Sequence, residues 1–348
     1  MTHEYRRPTA SGGLRLHLNE NTAGCSPKVL EAMRRVTREE AAVYPDYNEA
    51  IEACASKFGV SAGSVLLVNG LDEGILLAAL VMLREGTPAD PCEAIIVQPA
   101  FDMYAACADG AGGRIVEVLP DAGLDFPARR VLDALSDRTR IIFLTSPNNP
   151  TGLSIPPENV ESIANAAPQA MVFLDEAYAD FSGESMIQSA ASGAIPNLIV
   201  GRTFAKAYGL AGVRAGALFG TPAGLSAMRR VIPPYSLNLF AAAALPAALA
   251  DLEYYNWYLS EVRESKGLLY EVLDRHGLRY WPSNGNFVLA FFGEALASVV
   301  SGLAERGIHI RDRSADPGCT GCARMTAGVV AHTQRLVSAL EEVMCGAR

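Results

Sequence analysis

From residue 65 onward, short unbroken apolar runs alternate with stretches of mixed polarity. The runs fall at 65–68, 94–97, 115–118, 141–144, 171–174 and 198–200. Apolar runs of this length without alternation are strands buried on both faces, and the amphipathic stretches between them, such as 75–83, are helices covering the sheet. The pattern predicts a mostly parallel α/β sheet. Ahead of it, Leu16-His17-Leu18-Asn19-Glu20-Asn21 alternates like a short strand. Ser26-Pro27 has the form of an N-cap with proline at the first helical position, which predicts a helix to about residue 40. Tyr44-Pro45-Asp46-Tyr47 breaks it, and a second helix follows over 48–58.

Beyond residue 250 the pattern changes. It predicts a long helix over 251–276, a strand at 286–291, a helix at 296–306, strands at 308–311 and 323–326, and a closing helix at 331–345. The chain therefore divides into an arm over 1–30, packing with the small domain or a partner subunit, a large domain over 31–250, and a small α+β domain over 251–348.

Composition narrows the field. With 348 residues, 50% hydrophobic and 19% charged, the chain has the make-up of a folded globular enzyme. A net charge of −9 with no basic block argues against nucleic-acid binding. The longest apolar stretch, 239–250, contains Pro246 and is too short to span a bilayer, so no membrane association is expected. No apolar segment follows residues 1–7, so no secretion signal is expected. Seven cysteines, an odd number, fit reduced thiols in a cytoplasm. Cys319-Thr320-Gly321-Cys322 has metal-like spacing, yet it lacks a second pair or nearby histidine ligands, so loop thiols and no bound metal are expected.

In a sheet of this kind the site lies outside the carboxyl ends of the strands. After 65–68 come Asn69-Gly70-Leu71-Asp72-Glu73-Gly74, either an ordinary strand-to-helix turn or an anion cup at a helix N-terminus. After 94–97 stands Phe101, a core ring or a stacking one. After 141–144 two prolines bracket Asn148 and Asn149, which aims an amide at the cleft. After 171–174 comes Asp175, a helix cap or a buried carboxylate awaiting a partner. After 198–200 comes Lys206, one of only four lysines with Lys28, Lys57 and Lys266. An amine among small and apolar residues is the setting of a Schiff-base lysine, although a stem lying over a helix end is the other reading. Phosphate held, ring stacked, ring oxygen hydrogen-bonded, ring nitrogen kept protonated and aldehyde captured is the set that pyridoxal 5'-phosphate needs.

Three segments carry a more specific signal. They are Ser146-Pro147-Asn148-Asn149-Pro150-Thr151-Gly152, Asp175-Glu176-Ala177-Tyr178 and Lys206-Ala207-Tyr208-Gly209-Leu210-Ala211-Gly212-Val213-Arg214. In order and spacing they resemble fold-type I aminotransferases, most closely the histidinol-phosphate aminotransferase family, over about residues 14–340. The resemblance implies the aspartate aminotransferase-like fold of pyridoxal-phosphate-dependent transferases. It implies Lys206 as the Schiff-base amine and later the proton carrier, with Asp175 on the pyridine nitrogen. Asn149 and Tyr178 would hold the ring oxygen and Phe101 would stack on the ring. The phosphate would rest on the Leu71 and Asp72 amides and on Arg214, with Tyr44 reaching across a homodimer, so that a monomer is inactive. Arg324 would hold the substrate anion, Arg311 would add a second charge, and Asn21 and Asn149 would stand beside the substrate.

The chain departs from the family in places. Ala205 replaces the usual serine before the lysine, so Thr203 or water must serve the phosphate in its stead. Phe101 stands where tyrosine is common, and Thr22-Ala23-Gly24 replaces the usual proline and aromatic. The activity implied is ping-pong transfer of an amino group from histidinol phosphate to 2-oxoglutarate, in histidine biosynthesis. An aromatic amino acid aminotransferase and a pyridoxal-phosphate decarboxylase of phosphorylated amino acids are the alternatives. A transcription regulator on this fold would need a DNA-binding domain before residue 14, and a dehydrogenase would need a G-x-G-x-x-G turn.

Overall fold

The computed structural model describes residues 12–346; residues 1–7, and with them the expectation about secretion and the first part of the arm, lie outside the described residues. The strands are β1 Leu14–Arg15, β2 Val65–Val68, β3 Glu93–Val97, β4 Arg114–Val118, β5 Thr139–Thr145, β6 Met171–Asp175, β7 Leu198–Thr203 and β8 Gly216–Phe219. They are followed by β9 Tyr280–Trp281, β10 Phe287–Phe291, β11 Ile308–His309, β12 Arg311–Asp312 and β13 Cys322–Thr326. The main sheet has seven strands in the order β2-β8-β7-β6-β5-β3-β4. It is parallel apart from β8, which runs antiparallel to both β2 and β7.

Each expected apolar run in this region is a strand. β6 shows why: Val172 and Leu174 enter the core on one face while Met171 and Phe173 enter the core on the other, and all five residues are buried. A strand covered on both sides has no polar alternation to offer. β8 was not expected; Gly216-Ala217-Leu218-Phe219 is short and follows the lysine segment without a helical stretch between them.

The smaller sheet is antiparallel, in the order β12-β13-β10-β9, and packs with the helices Leu252–Arg275, Leu296–Glu305 and Val330–Gly346 around a separate apolar cluster. The run at 308–311 is not one strand. β11 pairs in parallel with β1, whereas β12 joins β13, placing Arg311 opposite Arg324. β1 and β11 form a separate two-stranded sheet, the Leu16 carbonyl accepts from the Thr326 amide of β13, and Leu16 is fully buried in the same cluster.

Other boundaries shift. Residues 16–21 do not form a strand: Asn19 takes a left-handed backbone (φ 54°), and its carbonyl and side chain bond to Asn286, Tyr178 and Thr326. The first helix is Pro27–Arg34, shorter than expected, because Thr37 and Glu40 bond to each other in a separate turn. The helix after β2 begins at Leu71, earlier than 75, with Asp72 and Glu73 in its first turn where the helix dipole favours them. Among the described residues no helix is long and apolar enough to cross a membrane. Cys319 and Cys322 are buried with Leu124, Trp281 and Leu289, and burial pushes their thiols up to about 12 and about 11, so both stay protonated.

Candidate active site

A cavity of about 350 Å³ opens where β2, β5, β6 and β7 end, and the small sheet's β12 and β13 face it. Lys206, in the loop after β7, is half-buried on its wall. Its Nζ donates to the Leu18 carbonyl at 3.1 Å and lies 5.6 Å from the centre of the Tyr178 ring. Among the described residues the amine has a backbone carbonyl as its partner and no carboxylate.

Asp175 ends β6 and is 5% exposed. Burial is the largest influence on it and pushes its carboxyl up to about 6, while hydrogen bonds from Tyr104 Oη (2.6 Å) and the Ala177 amide (2.8 Å) favour the ionised form. A buried carboxylate facing a cavity calls for a cationic partner, and a protonated ring nitrogen is one.

Asn149 and Tyr178 are arranged to donate. Arginine is donor-only, so the bond between Arg324 Nη1 and Asn149 Oδ1 leaves the Asn149 amide hydrogens for another acceptor. The Tyr178 oxygen accepts from Asn19 Nδ2 at 3.0 Å, leaving the phenolic proton free. Both groups line the cavity, as does Phe101, whose ring meets Tyr104 edge-on at 5.9 Å.

At the cavity's other side the helix Leu71–Leu83 starts at Gly70 with no side-chain cap. Leu71 and Asp72 line the cavity, and the amides of this first turn have no side-chain cap. Arg214 lies across this turn, donating to Asp72 Oδ2 at 2.9 Å. Gly70 has φ 75°, and a Cβ there would fall 2.3 Å from Arg214 Nη2, so only glycine lets the guanidinium approach so closely. Arg214 itself takes a left-handed backbone (φ 62°), strain of the kind found at functional sites. Thr203 and Ala205 complete this wall, with the Thr203 hydroxyl accepting from the Ala205 amide at 3.2 Å.

Arg311 and Arg324 both line the cavity from adjacent strands. Arg324 is 5% exposed; it bonds to Asn149 and, at 2.6 Å, to the His17 carbonyl, and its Nε has no partner among the described residues. Burial first, then Arg313 and Arg311, lower its guanidinium to about 10, which leaves it cationic at neutral pH. Neither arginine pairs with a carboxylate among the described residues. A buried, unneutralised guanidinium is costly unless an anion comes to it.

Two expected site residues stand apart from the cavity. Asn21 donates to the Ala207 carbonyl at 3.0 Å and accepts from the Ala23 amide at 2.9 Å, so its side chain ties the chain start to the lysine loop. Tyr44 is 75% exposed and stacks on Tyr235 at 4.0 Å. Conversely, Tyr104, His17 and Arg313 line the cavity without having been anticipated. Tyr104 lies in the first turn of the helix that follows Phe101, where nothing in the sequence separates it from a core ring. Arg313, two residues after Arg311, pairs with Asp316.

The residues present fit pyridoxal phosphate: a buried acid for the ring nitrogen, two donors for the ring oxygen, open amides and Arg214 for the phosphate, and an amine. The family model described as aminotransferase class I and II matches residues 11–340. The chain is 34% identical over 345 residues to histidinol-phosphate aminotransferase 2 of Pseudomonas fluorescens, covering 96% of this chain and 90% of that one. It is 35% identical over 337 residues to histidinol-phosphate aminotransferase of Methanocella arvoryzae, covering 95% and 90%. Among solved structures, histidinol-phosphate aminotransferase from Sinorhizobium meliloti in complex with pyridoxal-5'-phosphate superposes with a TM-score of 0.86 at 27% identity, covering 97% of this chain and 92% of that one. With these groups gathered around one cavity at the strand ends and a match over nearly its whole length, the chain belongs to the class I and II aminotransferases.

Proposed function

We propose that this enzyme moves the amino group of histidinol phosphate to 2-oxoglutarate. The observation that carries the choice of donor is the pair Arg311 and Arg324 on adjacent strands, both in the cavity and neither paired with a carboxylate among the described residues. Two guanidinium groups suit a dianionic phosphate, and in the other half-reaction the α-carboxylate of glutamate. The names of the sequence relatives support the same donor.

Pyridoxal phosphate, when bound, supplies the aldehyde and an electron sink for the substrate's α-carbon. Lys206 would hold that aldehyde at rest and, once displaced by the amino donor, take the proton from the donor's Cα. Asp175 would keep the ring nitrogen protonated, and Asn149 and Tyr178 would orient the ring through its oxygen. The Leu71 and Asp72 amides, Arg214 and the Thr203 hydroxyl would hold the phosphate. Residues 31–250 would carry the cofactor site, 251–348 would supply Arg311 and Arg324, and the enzyme would work in the cytoplasm as a homodimer in which Tyr44 reaches the partner's phosphate.

The test is a screen of amino donors against 2-oxoglutarate. Histidinol phosphate is expected to give the highest kcat/KM, well above phenylalanine. A higher rate with phenylalanine would instead assign an aromatic amino acid aminotransferase, and carbon dioxide release without an acceptor would assign a decarboxylase. Lys206→Ala should lower kcat by at least ~10²–10⁴-fold, the usual contribution of one positioned proton carrier.

A further inference from the structure

We propose that Tyr104 is a positioning residue: it holds Asp175 as a hydrogen-bond acceptor, so that the proton shared between Asp175 and the bound cofactor's ring nitrogen stays on the nitrogen. The inference rests on the pyridoxal phosphate reading of the cavity and names a residue that reading does not use.

Tyr104 is 1% exposed, in the first turn of the helix Asp102–Gly110. Its ring stacks on Phe143 at 5.0 Å with an interplanar angle of 11°, which fixes the direction of the phenolic oxygen. That oxygen lies 2.6 Å from Asp175 Oδ2 and 2.9 Å from Thr145 Oγ1. An ionised carboxylate only accepts, so the phenol must donate its hydrogen bond to Asp175 and the Thr145 hydroxyl must donate to the phenol. The result is a directed chain, Thr145 to Tyr104 to Asp175. With the Ala177 amide on Oδ1, both carboxylate oxygens face donors.

The other charged groups around Asp175 do not do this. Asp72 opposes its ionisation and Lys206 favours it, both without a hydrogen bond. Burial dominates and opposes the charge, so the Tyr104 bond is the chief offset. Nor can the phenol itself ionise near neutrality: burial and the Asp175 charge hold it well above its usual 10. Tyr104 is thus a permanent donor. With both oxygens already accepting, the ionised carboxylate is favoured over the protonated one, so the shared proton would lie on the ring nitrogen, whose positive charge withdraws electrons from the reacting carbon.

The experiment loads wild-type enzyme and Tyr104→Phe with pyridoxal phosphate labelled with ¹⁵N in the ring and reads the nitrogen's chemical shift. Wild type is expected at the protonated value. Tyr104→Phe is expected to move toward the unprotonated value and to bind the cofactor about ten-fold more weakly. Tyr104→3-fluorotyrosine, which keeps a donor of greater acidity, should restore the wild-type shift, a rescue that packing alone would not produce. An unchanged shift and dissociation constant in Tyr104→Phe would overturn the proposal. Should that variant not fold, Thr145→Val, which removes only the donor to the phenol, must show a smaller change in the same direction, and its absence is equally decisive. If wild type itself takes up no cofactor, the reading of the cavity fails instead.

Discussion

Ala205 is buried on the cavity wall, one residue from the lysine, and presents only a methyl group to the place where the phosphate would lie. Thr203, the neighbouring hydroxyl, already accepts from the Ala205 amide but still has its proton to give. Ala205→Ser adds a second donor and should tighten cofactor binding by about ten-fold, measured by fluorescence titration of the cofactor-free enzyme. Asp175 makes a prediction of the opposite kind. Its carboxyl is raised from 3.8 to about 6, so through that window the folded, cofactor-free protein holds a proton the unfolded chain has released. Stability then falls as pH rises. Asp175→Asn cannot ionise, so its advantage in urea midpoint over wild type should grow from about pH 4 to about pH 7, while turnover collapses. No growth with pH would show that Asp175 is solvated. Lys206, Asp175 and Asn149 could be picked out of the sequence because each follows a buried strand, whose end locates a side chain in space. Tyr104 could not: a tyrosine in an amphipathic helix looks like core until the helix is placed against β5 and β6.

At the scale of elements, the loop after β5 shows how the two sheets meet. Gly152 has φ 76°, and a Cβ there would lie 2.2 Å from the Ser283 hydroxyl, just ahead of β10. The Gly152 carbonyl accepts from the Asn284 amide at 2.8 Å, and Ser154 accepts from the Asn284 side chain at 2.9 Å. Gly152→Ala should therefore destabilise the fold by about 1–3 kcal/mol in denaturant unfolding and disturb Asn149 three residues away. The glycine was visible in the sequence as a turn former, but its close approach to a segment more than a hundred residues later was not. The same limit explains the split at 308–311. Apolar and polar residues alternate through the whole run, and only pairing partners from opposite ends of the chain assign β11 to β1 and β12 to β13.

For the molecule as a whole, several large apolar side chains of the described residues stand in water. Tyr44 is 75% exposed, Val43 67%, Tyr235 51% and Phe240 50%. Such exposure fits a face covered by a second copy. If Tyr44 serves the neighbour's site, mixing Tyr44→Ala with Lys206→Ala should restore activity that neither variant has alone, because one site in each mixed dimer is then complete. No restoration would confine the site to one chain. A last consequence follows from the opening segment. Leu18 and His17 lend their carbonyls to Lys206 and Arg324, and β1 pairs with β11, so the first described residues are braced by nearly the last. During translation those residues leave the ribosome early and must wait for their strand partners to emerge. Vitamin B6 coenzyme would then be acquired only after synthesis is nearly finished, and a nascent chain stalled short of Cys322 should be colourless.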